Sequence, residues 1–357
     1  MLLARLYKRF GFRDTVLFWL ESFLTDRTAC VRVKSSCSHF SNISCGVPQG
    51  SVLGPLLFQL YVAPISDIVS EYGLKHIIYA DDITIYVSCN VSNFCSTLLN
   101  VQLCIAHVVD WLISNRLKIN VDKTVTFLCG PKCSISNFQF DSVNICGYDL
   151  PVMPQVKLLG VIFDRSLRFD AHVASIRRKC FLQLRNLSRV KKYVNDSNFI
   201  TLIHCFVFSH IDYCNALLLS CKSSSLLKLQ RTIYSAARLA KRLPRHHHNM
   251  SNVVKDLGWL GIHNRILFKL CCFVHRIVYG FAPSYLMSLI SPASSRTCTS
   301  HLRSHSCIRL HCPISSSVRS RAAFCFSAPR FWNSLPTSIK CIRNFSVFKR
   351  HLKAHLR

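Results

Sequence analysis

Two aspartates stand side by side in this chain, Asp81 and Asp82, between β-branched and aromatic runs at 76–80 and 83–87. Apolar strands on both sides of a polar pair spell a hairpin with two acids at its tip. Adjacent carboxylates repel one another unless a cation sits beside them, and a hard divalent ion, Mg²⁺ with Mn²⁺ as the alternative, suits oxygen ligands. The chemistry served by such a seat is nucleotidyl transfer, in which two ions ~4 Å apart activate the attacking hydroxyl and bridge a triphosphate. Two ions need more than two carboxylates, and a solvated polar turn is the commoner reason for an Asp-Asp pair. The strongly apolar flanks favour the metal. Nothing in the sequence calls for an organic cofactor.

The elements that would position this pair can be read from periodicity. Leu2, Leu3, Leu6, Tyr7 and Phe10 recur at helical spacing and Gly11 follows as a C-cap. Asp14 caps a second helix over 15–24 that is apolar nearly all round. Two β-prone stretches, 28–33 and 40–45, flank a polar turn. The segment 46–55 reads as a turn feeding a helix, with Ser51 as N-cap and Pro55 in the first turn. Leu98, Val101, Ile105, Val108 and Leu112 mark an amphipathic helix. Strands are expected at 117–121, 124–128 and 156–163. Helices are expected at 171–190, 197–219, 225–242 and 262–280, with a last basic helix over 346–356. The fold class is therefore α+β, a short antiparallel sheet backed by helices and followed by an all-helical region.

Charge divides the chain in the same way. The total is +29, yet residues 1–174 hold 15 Lys+Arg against 13 Asp+Glu, a net of +2. Residues 175–357 hold 30 Lys+Arg against three acids, Asp196, Asp212 and Asp256, a net of +27. A near-neutral half joined to a strongly basic one points to a polyanionic partner, nucleic acid before any other, because neutralising phosphates releases condensed counterions. The 20 cysteines lie scattered in apolar periodic segments rather than in a disulfide framework, and Arg5, Lys8 and Arg9 break any apolar leader. An intracellular protein, in nucleus or cytoplasm and not secreted, is expected. The nearest approach to a membrane span, 199–221, carries His204, His210, Asp212 and Asn215, and no membrane partner is expected. Cys298, His301, His305, Cys307, His311 and Cys312 could bind zinc, but their spacing fits an ordinary basic linker better.

Tyr79-Ala80-Asp81-Asp82 resembles the Tyr-Ala-Asp-Asp signature of reverse transcriptase palms. The run from Pro48 to Phe58 resembles the turn-and-helix motif of non-LTR (LINE-type) enzymes. Trp111, Leu117, Asn120, Lys123 and Thr124 resemble the next motif, and Lys157-Leu158-Leu159-Gly160-Val161 the primer-grip strand. The tail, 328–336 and 348–356, is similar to the C-terminus of CR1/L2-type elements. The resemblance implies roles. Asp81 would be the principal metal ligand and Asp82 the second, more dispensable one. Gln49, Gly50 and Ser51 would line the pocket for the incoming dNTP and template base. Lys123 would assist the leaving pyrophosphate; a solvent-facing lysine is the plainer account of it. Leu158, Leu159 and Gly160 would hold the primer end. The partners implied are an RNA template, a DNA primer duplex and dNTPs.

The same resemblance implies a division into a partial palm (1–170), a thumb-like helical region (171–290), a basic linker (291–327) and a basic tail (328–357). It also implies a further aspartate, on a strand that would precede Leu2. A C-terminal fragment of an RNA-directed DNA polymerase, with little or no activity alone, is the expectation. The alternatives are a non-catalytic nucleic-acid-binding remnant, and a chain whose open palm edge prevents folding.

Overall fold

The computed structural model describes residues 1–47, 50–131, 135, 141–244, 246–293, 309–314 and 322–357. The chain forms two compact units, the first comprising Met1–Thr126 with Ser136–Met153, the second Phe127–Ile135 with Pro154–Arg357. Both helices and short antiparallel sheets are present, an α+β composition.

The first unit opens with α1 (Leu2–Phe10) and α2 (Asp14–Leu24). Gly11, left-handed at φ 70°, ends α1 as its spacing predicted. Leu6 of α1 is wholly buried against Leu20 of α2 and Leu57 of α3 (Gly54–Val62). Arg5, one residue earlier, crosses to the other side. Its guanidinium donates to the Tyr61 carbonyl and, at 2.8 Å, to Asn115 Oδ1, and it lies 4.7 and 5.2 Å from the ring centroids of Tyr61 and Trp111. Tyr61 Oη–H in turn donates to the Asn115 carbonyl at 2.7 Å. Desolvation in this setting lowers the Arg5 pKa below the usual guanidinium value. One cation thus joins α1, α3 and the end of α5 (Phe94–Ser114).

Between them, α4 (Pro64–Glu71) begins at a proline that can start a helix but not continue one, a helix the sequence reading did not place. The two β-prone stretches become nested hairpins, β1 (Arg27–Ala29) with β4 (Ser41–Ile43) and β2 (Arg32–Val33) with β3 (Ser36–Cys37). Strands β5 (Lys75–Tyr79) and β6 (Asp82–Tyr86) pair antiparallel. Ile78, Ile83 and Ile85 of this hairpin pack on a core of Val62, Ile65, Val69, Cys104 and Val108. Among the described residues α5 is also the one helix long and apolar enough to cross a membrane by length and composition. The segment 199–221, which the sequence offered instead, is broken. A further hairpin, β7 (Ser142–Ile145) with β8 (Tyr148–Met153), completes the unit.

Two strand expectations fail locally. Residues 117–120 are irregular and Val121–Lys123 is a single 3₁₀ turn, capped by Asn120. Asn competes for backbone hydrogen bonds in just this way, overriding the β propensity of its neighbours. The strand expected over 156–163 is a hairpin, β9 (Gln155–Leu158) and β10 (Val161–Asp164), turning at Leu159-Gly160.

Those strands belong to the second unit, whose longer helices are α6 (Asp170–Val190), α7 (Asp196–Ile203), α8 (Ser223–Ala240), α9 (Met250–Asp256), α10 (Ile262–Val278), α11 (Phe324–Ser334) and α12 (Phe345–His355). After α7 the expected long helix relaxes into a π turn at His204–Phe208 and a last α turn at Ser209–Asp212. The tail is built into the core. Trp332, Phe348 and Leu352 are wholly buried with α10 in one cluster. His275 of α10 is also wholly buried, its ring 4.2 Å from that of Phe348, and its Nε2–H donates to the Ile342 carbonyl at 2.8 Å. Burial holds its pKa below the ordinary histidine value, so the ring is neutral at pH 7. Tyr279 Oη–H donates to the Lys340 carbonyl at 2.7 Å and Asn264 Nδ2–H to that of Leu356 at 2.5 Å.

Since Phe348 fills this site completely, Phe348→Ala is expected to cost about 3–5 kcal/mol. Urea unfolding followed by far-ultraviolet circular dichroism checks this; an unchanged midpoint would show that the tail is not part of the folded core.

Candidate active site

Strands β5 and β6 meet with Tyr79 opposite Asp82, which leaves Ala80 and Asp81 as a two-residue turn. Ala80 adopts a left-handed φ of 53°, a geometry tight hairpins demand and that costs a non-glycine residue roughly 1–2 kcal/mol. The apolar inner face described above leaves Ile77, Tyr79, Asp82 and Tyr86 on the outer one, by the two-residue period of a strand. Tyr79 is 64% exposed and both aspartates are exposed. Among the described residues neither carboxylate accepts a side-chain hydrogen bond or an ion pair. Two exposed carboxylates at a hairpin tip are apt ligands for a hard cation. Their number is the shortfall: no group of three or more His, Cys, Asp or Glu side chains that could hold a metal occurs among the described residues. The pair fits part of a coordination shell, and waters, substrate phosphates or another carboxylate must supply the remainder.

Of the three residues expected to line a nucleotide pocket, Gln49 lies outside the described residues. Gly50 is left-handed at φ 81°, with nothing within 4 Å of where a Cβ would sit, so its backbone both needs glycine and faces open space. Ser51 Oγ accepts from the Gly54 N–H at 3.1 Å, but it is not the N-cap its position predicted: α3 begins at Gly54, with Leu53 as its N-cap. Phe58, Tyr61 and Val62 of that helix share the core under the Asp81-Asp82 hairpin. The turn and the hairpin are thus mounted on one packed body.

Lys123 closes the 3₁₀ turn, with its backbone N–H donating to Asn120 Oδ1 at 3.2 Å. Its side chain is exposed and makes no ion pair among the described residues. Leu117 and Ile119, just before it, pack on the hairpin's core.

In the second unit, Leu158-Leu159-Gly160 forms the tip of the β9–β10 hairpin. Leu159 and Gly160 both have positive φ, 45° and 84°. For leucine this is a strained conformation. Below the tip, Asp164 accepts hydrogen bonds from Ser166 Oγ–H at 2.7 Å and from the backbone N–H groups of Ser166, Arg168 and Phe169 at 3.1, 3.1 and 2.6 Å. Desolvation alone would raise its pKa, but the four donors outweigh it and hold the carboxyl below its ordinary value. Sequence reasoning passed over Asp164, although an acid followed two residues later by serine is a recognisable turn signal. Among the possible zinc ligands, Cys298, His301, His305 and Cys307 lie outside the described residues. Cys312 Sγ lies 3.3 Å from Asn333 Nδ2.

Residues 2–163 match the family model of the reverse transcriptase (RNA-dependent DNA polymerase). The chain is 32% identical over 174 residues to the probable RNA-directed DNA polymerase from transposon BS of Drosophila melanogaster, covering 47% of this chain and 19% of that protein. It is 33% identical over 165 residues to the probable RNA-directed DNA polymerase from transposon X-element of the same organism, covering 45% and 17%. With the RNA-directed DNA polymerase from mobile element jockey of Drosophila funebris the identity is 28% over 219 residues, 58% of this chain and 23% of that one. The matched stretch is thus about a fifth of each relative's length. No solved structure matches the chain. Over its first half the chain is similar to the reverse transcriptases of non-LTR elements.

Because the Asp164 carboxyl is depressed in the fold, its contribution is complete above the unfolded value near 4 and fades as pH falls through the lower folded one. At pH 7 Asp164→Asn is expected to cost about 1–3 kcal/mol, and the gap to the unsubstituted chain to narrow steadily below pH 4. Thermal melts from pH 7 to 2.5 would show it; a gap independent of pH would contradict the ionised cap.

Proposed function

We propose that residues 1–170 act as the partial palm of an RNA-directed DNA polymerase of a non-LTR, CR1/L2-like retrotransposon, with 171–290 serving as thumb, 291–327 as a basic linker and 328–357 as tail. The observation that carries this reading is the exposed Asp81-Asp82 pair at the tip of a hairpin inside the stretch that matches the family. Asp81 is the principal metal ligand and Asp82 the second. Mg²⁺ held there would lower the pKa of the primer hydroxyl and bridge the phosphates of the incoming dNTP.

The surrounding residues supply position and charge. Gln49, Gly50 and Ser51 line the dNTP and template side, where left-handed Gly50 leaves open space for a substrate. Lys123, an exposed ammonium, meets the leaving pyrophosphate. Leu158, Leu159 and Gly160 hold the primer end. The net +27 of residues 175–357 attracts the phosphates of an RNA–DNA duplex irrespective of sequence. Two carboxylates fall short of what two ions require, so nucleotide incorporation by this chain alone is slow, and a third acidic ligand from elsewhere restores it.

The test is a graft. Residues 2–163 replace the matching stretch of the transposon BS polymerase, and Mg²⁺-dependent DNA synthesis on an RNA template is measured by primer extension. The graft is expected to extend the primer, and Asp81→Asn to lower the rate by ~100-fold or more. A graft that extends equally well with Asp81→Asn would overturn the assignment.

A further inference from the structure

The turn at Leu159-Gly160 is held by a side chain that no motif marks. Tyr213, 54 residues downstream, donates its Oη–H to the Leu159 carbonyl at 2.6 Å. Its Cε1 lies 3.4 Å from where a Cβ on Gly160 would sit, so the ring lies against the turn's second residue. Tyr213 follows the last helical turn of Ser209–Asp212 and precedes Cys214, which is left-handed at φ 50°. Its neighbour Asp212 is anchored by Arg265 of α10, Nη1 to Oδ2 2.6 Å. Arg265 is itself buried, donates from Nε to the Leu260 carbonyl at 2.9 Å, and stands 3.9 Å from the centroid of the Phe208 ring. A continuous set of contacts therefore runs from the hairpin tip into the core of the second unit.

Neither end of this contact is there for burial. Leu159 is 37% exposed and Tyr213 51% exposed. Nor does Leu159 suit its turn, since a two-residue hairpin with two positive φ values favours Asn-Gly over Leu-Gly. A large apolar side chain is displayed outward at a strained position, and an exposed tyrosine fixes the backbone that displays it. Such strain persists only where surrounding contacts over-determine it, and it gathers at sites that must be pre-shaped for a ligand.

We propose that Tyr213 is the positioning residue of the primer-end turn, holding Leu159 and Gly160 in the conformation that receives the recessed 3′ end of a primer on its template. This rests on the primer-end reading of Leu158-Leu159-Gly160 given above. Tyr213 touches neither primer nor dNTP in this scheme; it acts through the Leu159 carbonyl.

The test uses the full chain and three of its forms: unsubstituted, Tyr213→Phe and Tyr213→Ala. Fluorescence anisotropy measures binding to an RNA–DNA hybrid that is blunt and to the same hybrid with a recessed DNA 3′ end, at one salt concentration. Amide hydrogen exchange over 155–164 is followed in parallel. The unsubstituted chain is expected to prefer the recessed end. In Tyr213→Phe, loss of one hydrogen bond is expected to reduce that preference and raise exchange at the turn by about 2- to 10-fold. Affinity for the blunt hybrid and the melting temperature, which a general loss of structure would move, stay unchanged. Tyr213→Ala, lacking the ring as well, shows the larger effect. If the unsubstituted chain shows no preference for the recessed end, the primer-end reading falls and takes this role with it. If it shows the preference and both variants keep it, the primer-end reading survives and the role of Tyr213 is overturned.

Discussion

Two negative charges on consecutive residues, at the end of a hairpin only five residues long on each side, are the constraint around which the first unit is organised. The charges repel, the turn strains Ala80, and an isolated two-stranded hairpin has little stability in water. What offsets these costs is the inner face. Ile78, Ile83 and Ile85 rest on side chains from α4 and α5, and Arg5 fastens α1 to the helices that carry this core. The outer face, with Tyr79 and Ile77 exposed, is left to present the acids. A tip that a solvated turn could have built cheaply is instead mounted on the core that α4 and α5 share.

The second unit holds its own strained tip by hydrogen bonds. Its hairpin tip carries a strained Leu159 rather than charge, and its supports are hydrogen bonds: Asp164 gathers the chain below the tip, and Tyr213 secures the tip itself. Over residues 175–357 the charge is almost all of one sign, 30 Lys+Arg against three acids, Asp196, Asp212 and Asp256. Two of those acids are committed locally, Asp212 to Arg265 and Asp196 to Lys191. The folded unit therefore neutralises little of its own positive charge, which suits a surface that meets phosphates.

Much of this was readable from residue order because its signals are local. The apolar runs around Asp81-Asp82 gave the hairpin, the three-and-four spacing of Val101, Val108 and Leu112 gave α5, and Pro55 marked the first turn of α3. Local signals also misled: β propensity at 156–163 promised one strand, because nothing in leucine announces a left-handed turn. The 3₁₀ turn that ends at Lys123 was hidden for the same reason, since Asn120 acts through a hydrogen bond that propensity does not count. Contacts between distant residues left no trace at all. Tyr213 on Leu159, Arg5 on Asn115, and His275 under the tail join residues 54, 110 and 67 positions apart. At the hairpin tip, residue order identifies the two acids and only the fold shows that they are exposed.

The central claim, that the Asp81-Asp82 tip seats a divalent cation, is tested most directly by Mn²⁺ as a paramagnetic probe of the isotope-labelled chain. With only two carboxylates the seat should be weak alone and tighter when a dNTP adds phosphate oxygens. Sub-stoichiometric Mn²⁺ should then broaden the amides of residues 79–83 before others, more strongly with dNTP present, and not in Asp81→Asn. Broadening spread evenly over the chain, or centred on 79–83 and indifferent to that substitution, would contradict the account.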